Sequence, residues 1–124
     1  MAKPPRLTEK ELEVMKLLWD RGPLTVNEIR DVLGSATAYT TVLSLLQTLE
    51  HKGHVGHSRY GRAYKYGALT REHNVKRRAV SQMIARFFSG SPSLLMSHLV
   101  EHKKLSQHEL RELRDLVDQH LRKK

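Results

Sequence analysis

The chain of 124 residues contains no cysteine. This absence excludes a disulfide-bonded scaffold, a zinc finger with thiolate ligands and catalysis by a thiol. Long apolar runs are also missing: no stretch approaches the roughly 18 residues that a membrane helix needs, and residues 1–6 lack the apolar region of a signal peptide. We therefore expect a cytoplasmic protein.

Sequence patterns of enzymes are missing as well. The chain has no phosphate-binding glycine loop, no His-Glu-x-x-His zinc motif and no nucleophile elbow with a Ser/His/Asp arrangement. It is also short for an enzyme that must form a substrate pocket. We expect a binding protein without enzymatic activity and without a cofactor.

Acidic residues are few compared with basic ones. Lys and Arg number 22 and Asp and Glu number 13, which gives a formal net charge of +9. The excess is concentrated in residues 51–78, where Glu72 is the only acid beside Lys52, Arg59, Arg62, Lys65, Arg71, Lys76, Arg77 and Arg78. A positive surface confined to one segment favours a polyanionic partner, and nucleic acid is the commonest one.

Three helix starts carry the capping-box pattern, in which a Ser or Thr is followed three residues later by Glu. The pairs are Thr8/Glu11, Thr25/Glu28 and Ser106/Glu109. The first two predict helices over about 9–20 and 26–33, the second with Ile29, Val32 and Leu33 on its inward face.

A third helix is predicted from about Ala38 to Lys52, ending at Gly53. Its apolar stripe comprises Val42, Leu45, Leu46 and Leu49, and its opposite face holds Tyr39, Thr40, Ser44, Gln47 and His51. Two short strands, 54–59 and 63–66, follow around Gly61, which can supply the positive φ of a tight hairpin. Three helices and such a hairpin, called the wing, are typical of a winged helix-turn-helix that reads DNA.

Three amphipathic helices complete the prediction, over about 71–88, capped by Thr70, then 93–102 and 107–122. Together these helices contain too few residues to bury their apolar sides against one another, which favours association with a second copy of the chain. The predicted fold is therefore mostly α with a small β-hairpin. Residues 1–69 form a winged-helix DNA-binding domain, and residues 70–124 form a three-helix dimerisation domain.

The sequence resembles the penicillinase-repressor family of the BlaI/MecI/CopY type. Residues 7–19 are similar to the first helix of the family, residues 38–53 to its recognition helix and residues 59–66 to its wing, while 106–117 resembles the last helix more loosely. The resemblance implies a homodimer that binds a palindromic double-stranded DNA operator. It also implies repression of a resistance or stress-response operon.

The predicted DNA-binding residues combine this resemblance with the polar helix face. They are Tyr39, Thr40, Thr41, Ser44, Gln47 and His51 on the third helix and Arg59 and Arg62 on the wing. Two of them have an alternative role: Thr41 can cap or pack against the second helix, and Tyr39 can be a half-buried packing residue.

The resemblance leaves the inducer open. Members that respond to β-lactams are cut by a membrane sensor protease at an Asn-Phe bond, and the aligned residues 95–100 contain none; copper-responsive members use cysteines. A sensor protease thus remains a partner implied by resemblance alone. No metal site is predicted, since His98 and His102, four residues apart on the fifth helix, are weak candidates more simply explained as solvent-facing residues.

Two other functions fit a basic winged helix. One is an architectural protein that coats DNA without sequence preference, although coating would require Lys and Arg on the third helix rather than Thr, Ser and Gln. The other is a protein-interaction module built on the same scaffold. Binding to specific and scrambled DNA separates all three.

Overall fold

The computed structural model describes residues 6–34, 36–102 and 105–123. The elements in chain order are α1 (Glu9–Arg21), β1 (Leu24–Thr25), α2 (Val26–Leu33), α3 (Tyr39–His51), β2 (Val55–Tyr60), β3 (Ala63–Ala68), α4 (Glu72–Phe87), α5 (Pro92–Glu101) and α6 (Gln107–Arg122). The predicted fold class is confirmed, and all three capping boxes are present at the starts of α1, α2 and α6.

The sheet has three antiparallel strands in the order β1-β3-β2. The predicted hairpin is therefore extended by one strand, because Leu24 pairs with Tyr66 and Thr25 with Lys65. A two-stranded hairpin is marginal in water, so the additional strand helps to hold the wing against the helices.

One hydrophobic core joins the first three helices to the sheet. The buried side chains are Val14, Met15, Leu18, Leu24, Val26, Ile29, Val42, Leu46, Leu49, Val55 and Tyr66. The predicted stripe of α3 is thus largely correct, with Leu45 only partly buried.

The assignment of Val32 to the inward face of α2 is wrong. Val26 and Ile29 are buried and Leu33 is partly buried, whereas Val32 is 41% exposed. Successive residues of an α-helix are rotated by about 100° around its axis. The centre of the face formed by Val26, Ile29 and Leu33 therefore lies about a quarter turn away from Val32.

The prediction that Thr70 caps the fourth helix is also wrong. The helix begins at Glu72, two residues later. The backbone carbonyl of Thr70 instead accepts a hydrogen bond of 2.8 Å from Trp19 Nε1, and its Oγ1 lies 3.1 Å from His54 Nδ1. Thr70 therefore ties the chain after β3 to α1 and to the residue preceding β2.

The chain divides into two compact units, residues 1–77 and 78–124. The division falls within α4, eight residues beyond the predicted domain boundary. The first unit contains the core described above. No described residue of α4, α5 or α6 is buried. Among the described residues, no helix combines the length and apolar character needed to cross a membrane.

Candidate nucleic-acid interface

The outward side of α3 is a continuous polar surface. Val42, Leu46 and Leu49 are fully buried, and this fixes which residues face solvent. The exposed residues include Thr40, Thr41, Ser44, Gln47 and His51, as the sequence predicted. Hydroxyl, amide and imidazole groups can each donate or accept hydrogen bonds, as recognition of base edges requires.

The N-terminus of α3 differs from the starts of the capped helices. Its N-cap residue is Ala38, which makes no side-chain cap hydrogen bond. The first-turn amides therefore lack the side-chain acceptor present at α1, α2 and α6, and amides at a helix start favour an anion such as a phosphate. Tyr39, the first residue of the helix, is 43% exposed and can contact such a group.

Thr48 belongs to the same exposed surface, although the sequence analysis did not include it. Its side chain is exposed, four residues after Ser44 and seven after Thr41. This spacing places the three residues along one ridge of the helix. Extending the i, i+3, i+4, i+7 pattern to the polar face would have identified it.

The wing (β2, β3 and their connection) presents the two predicted arginines to solvent. The strands pair from Val55↔Ala68 to Tyr60↔Ala63, which leaves Gly61 and Arg62 as the connecting loop. Gly61 has a φ of +64°, as expected of the first position in such a loop. Arg59 Nε lies 3.3 Å from the Gly61 carbonyl oxygen to which it donates, so the Arg59 guanidinium is held at the tip.

Aromatic residues beside these arginines were missed by the sequence analysis. Tyr60 and Tyr64 are 68% and 50% exposed, which is high for large rings. The Lys65 ammonium lies 4.5 Å from the centre of the Tyr60 ring, a cation–π contact. The alternation of basic and aromatic residues through 59–66 is the signal that could have identified them.

His57 connects α3 to the wing. Its Nδ1 lies 2.5 Å from Oε2 of Glu50, in the last turn of α3. The same imidazole contacts the rings of Tyr64 and Tyr66, with centroid distances of 5.1 and 5.4 Å. Burial, and to a smaller extent the Glu50 carboxylate, raise the pKa of Tyr66. These contacts set the position of the wing relative to the helix.

A second connection fixes the C-terminal end of α3 to the start of α1. Lys52 Nζ lies 2.7 and 3.0 Å from the two carboxylate oxygens of Glu11 and 3.0 Å from the Arg6 carbonyl oxygen. Glu11 is only 2% exposed. Burial by itself would raise the pKa of Glu11, but hydrogen bonds from Lys52 and from the Thr8 amide lower it below its ordinary value. The carboxylate is therefore held charged.

The two histidines considered as weak metal candidates belong to the second unit. His98 is in α5, and His102 is the C-cap residue of that helix. Their ring centroids are 4.3 Å apart. Among the described residues, no group of three or more His, Asp or Glu side chains could hold a metal ion.

Residues 7–119 match the family described as penicillinase repressor. The penicillinase repressor of Bacillus licheniformis is 27% identical over 126 residues, which cover 100% of this chain and 98% of that protein. The transcriptional regulator BlaI of Mycobacterium tuberculosis is 36% identical over 105 residues, 82% of this chain and 76% of the relative.

Solved structures agree with this match. The solution structure of monomeric B. licheniformis BlaI in complex with the blaP half-operator aligns with a TM-score of 0.50 and 32% identity, over 60% of this chain and 93% of that one. The YusO protein of Bacillus subtilis aligns over 94% of this chain and 75% of its own, with a TM-score of 0.55. Its 18% identity supports a likeness of fold alone.

Proposed function

Because the chain belongs to the penicillinase repressor family, we propose that it is a transcriptional repressor that binds operator DNA through α3 and the wing. The observation that carries the proposal is the exposed face of α3, which offers hydroxyl, amide and imidazole groups. The exposed residues of this helix include no Lys, Arg, Asp or Glu; beside Tyr39 they are Thr40, Thr41, Ser44, Gln47, Thr48 and His51. A helix about 10–12 Å across fits the major groove, which is about 12 Å wide. The protein acts by binding, without catalysis.

The two parts of the surface have different roles in this proposal. The uncharged groups of α3 read base edges, because hydrogen bonds to base edges carry the sequence information. Arg59 and Arg62 on the wing bind phosphates, which supply affinity without sequence preference. The contact between His57 and Glu50 holds these two parts in one arrangement.

The proposed active form is a homodimer on a palindromic operator in the cytoplasm, controlling a resistance or stress-response operon. Two copies related by a twofold axis present two α3 helices to two half-sites of the same sequence. The exposed apolar residues of α4, α5 and α6 supply surface for the association.

The test compares the full chain on duplexes from the DNA upstream of its own gene with scrambled duplexes of equal length and composition. At matched salt concentration we expect at least about a thousandfold preference for one upstream duplex. Equal affinity for both at several salt concentrations would contradict the proposal and favour the architectural protein. No binding to any DNA at low salt would favour the protein-interaction module.

Single substitutions separate the two kinds of contact. Arg62→Ala should weaken binding to specific and scrambled DNA alike and reduce the log–log salt slope by about one. Ser44→Ala or Thr40→Ala should reduce the preference for the operator while keeping the salt slope. A changed base preference in Arg62→Ala would contradict the assignment of the wing to phosphates.

A membrane sensor protease remains a proposed partner for the release of DNA. Residues 95–100 lie within α5 and contain no Asn-Phe pair, so a protease would have to unwind this helix and accept a different bond. A gene for a membrane metalloprotease beside the gene of this chain would support the proposal. A chain that stays intact when it is co-expressed with that metalloprotease in cells treated with a β-lactam would contradict it.

A further inference from the structure

We propose that His98 and His102, adjacent on one turn at the end of α5, bind a divalent transition-metal ion such as Zn²⁺, Ni²⁺ or Cu²⁺. Their ring centroids are 4.3 Å apart with an angle of 56° between the rings, and both side chains are exposed. Imidazole nitrogen is a favoured ligand of these ions. Both histidines belong to the second compact unit, residues 78–124.

The distance between the rings suits two ligands of one ion. A metal–nitrogen bond of about 2.0–2.1 Å places the ion roughly 3.2 Å from each ring centre. Two rings at a ligand–metal–ligand angle of about 90–110° then have centroids about 4.5–5.2 Å apart. The observed 4.3 Å is slightly shorter than this range, so the two rings would move slightly apart when both bind one ion.

The local sequence has the order of a known zinc-binding arrangement. Residues 98–102 read His-Leu-Val-Glu-His, the His-x-x-Glu-His order in which two histidines of one helix hold zinc in inverted zinc peptidases. A third protein ligand is not present among the described residues. The proposal is therefore a two-imidazole binding site whose remaining coordination positions hold water, and no peptidase activity is inferred.

The surroundings of the pair restrict one of the two ligands. The ring of Phe88 contacts the His98 imidazole edge-on at 5.8 Å, which limits the rotation of that side chain. The charge near the pair is mixed, because α5 contains Glu101 and no Lys or Arg, whereas Lys103 and Lys104 follow His102 directly in the sequence. His102 lies at the C-cap, where the backbone carbonyls of a helix end carry partial negative charge.

The experiment titrates the full chain with Zn²⁺, Ni²⁺ and Cu²⁺ salts by calorimetry, beside the variants His98→Ala and His102→Ala. Even a group outside the coordination sphere is worth about 10–100-fold in metal affinity, so removing either ligand should weaken binding by at least about tenfold. The double variant should bind no more tightly than the weaker of the two single variants. Unchanged affinity in both single variants would overturn the proposal.

His108→Ala and His120→Ala are the matched controls, because these α6 histidines have other partners. His108 Nε2 lies 2.6 Å from Glu112 Oε1, and His120 Nδ1 lies 3.0 Å from the Leu116 carbonyl oxygen. Both controls should keep the affinity of the unaltered chain. In NMR spectra, substoichiometric Cu²⁺ should broaden the imidazole signals of His98 and His102 first. Equal broadening of all eight histidines of the chain would contradict a specific site.

Discussion

Glu11 shows how one side chain can serve two structural purposes. Its carboxylate accepts from the Thr8 amide at 2.8 Å, which closes the cap of α1, and from Lys52 at the end of α3. Because α3 carries the proposed base contacts, the pair also restrains the recognition surface. The side chain is almost completely buried, so its loss would leave the Lys52 ammonium without its carboxylate.

Glu11→Gln is therefore expected to lower the free energy of unfolding by about 2 kcal/mol at neutral pH. The measurement is urea unfolding of the variant and the unaltered chain. The matched control is Glu13→Gln, which removes an exposed pair with Lys10 of 3.9 Å and should cost no more than about 0.5 kcal/mol. Equal losses in the two variants would contradict a special role for Glu11.

The pH dependence of this difference has a definite sign. The pKa of folded Glu11 lies below its ordinary value of 4.5. The stability that its charge contributes is present above about pH 4.5 and is lost as the pH falls through the lower, folded-state pKa. The difference in the free energy of unfolding between the unaltered chain and Glu11→Gln should therefore shrink in this acid range. Between about pH 5 and pH 7 it should stay constant.

At the scale of the elements, the wing depends on the backbone conformation of a single loop residue. Gly61 has a φ of +64°, and nothing lies within 4 Å of the Cβ that a larger residue would add there. Any cost of a substitution therefore comes from the backbone and not from a clash. Arg59 is held by the carbonyl of the same residue, so a distorted loop would also move a proposed phosphate contact.

Gly61→Ala should destabilise the chain by about 1–2 kcal/mol, the cost of a left-handed conformation for a residue with a Cβ. It should also weaken binding to all DNA sequences. Unfolding and DNA titration measure the two effects. Gly56→Ala is the control in the paired strand: its φ is not positive, and its added Cβ would lie 3.4 Å from the side chain of Leu69. A smaller loss in Gly61→Ala than in Gly56→Ala would contradict the argument.

At the scale of the whole molecule, exposed apolar side chains support the proposed dimer. In α6, Leu110, Val117 and Leu121 are 36%, 54% and 68% exposed, and their spacing places them on one side of the helix. Exposed apolar stripes of this kind are typical of protein interfaces. In a dimer, burial of these side chains would stabilise the association of two copies, each with one DNA-binding unit.

The double variant Val117→Lys/Leu121→Lys should be monomeric at micromolar concentration, because a charge on each side chain opposes burial of the stripe. Operator affinity should fall as the two half-sites are no longer bound together. Light scattering and DNA titration measure these effects. Gln119→Lys, which adds a charge on the other side of α6, should remain dimeric. A monomeric unaltered chain would contradict the proposed dimer.

Sequence and tertiary structure determined different parts of this protein. The sequence by itself determined the helix starts, the polar side of α3 and the turn at Gly61, because these follow from contacts over a few residues. It also determined membership of the family. The addition of β1 to the sheet, the exposure of Val32 and the role of Thr70 depended on packing between distant elements. The same holds for Lys52 and Glu11, which are 41 residues apart in the chain. Periodicity reports which side of an element is apolar, whereas the partner of a polar side chain is decided only when distant segments meet.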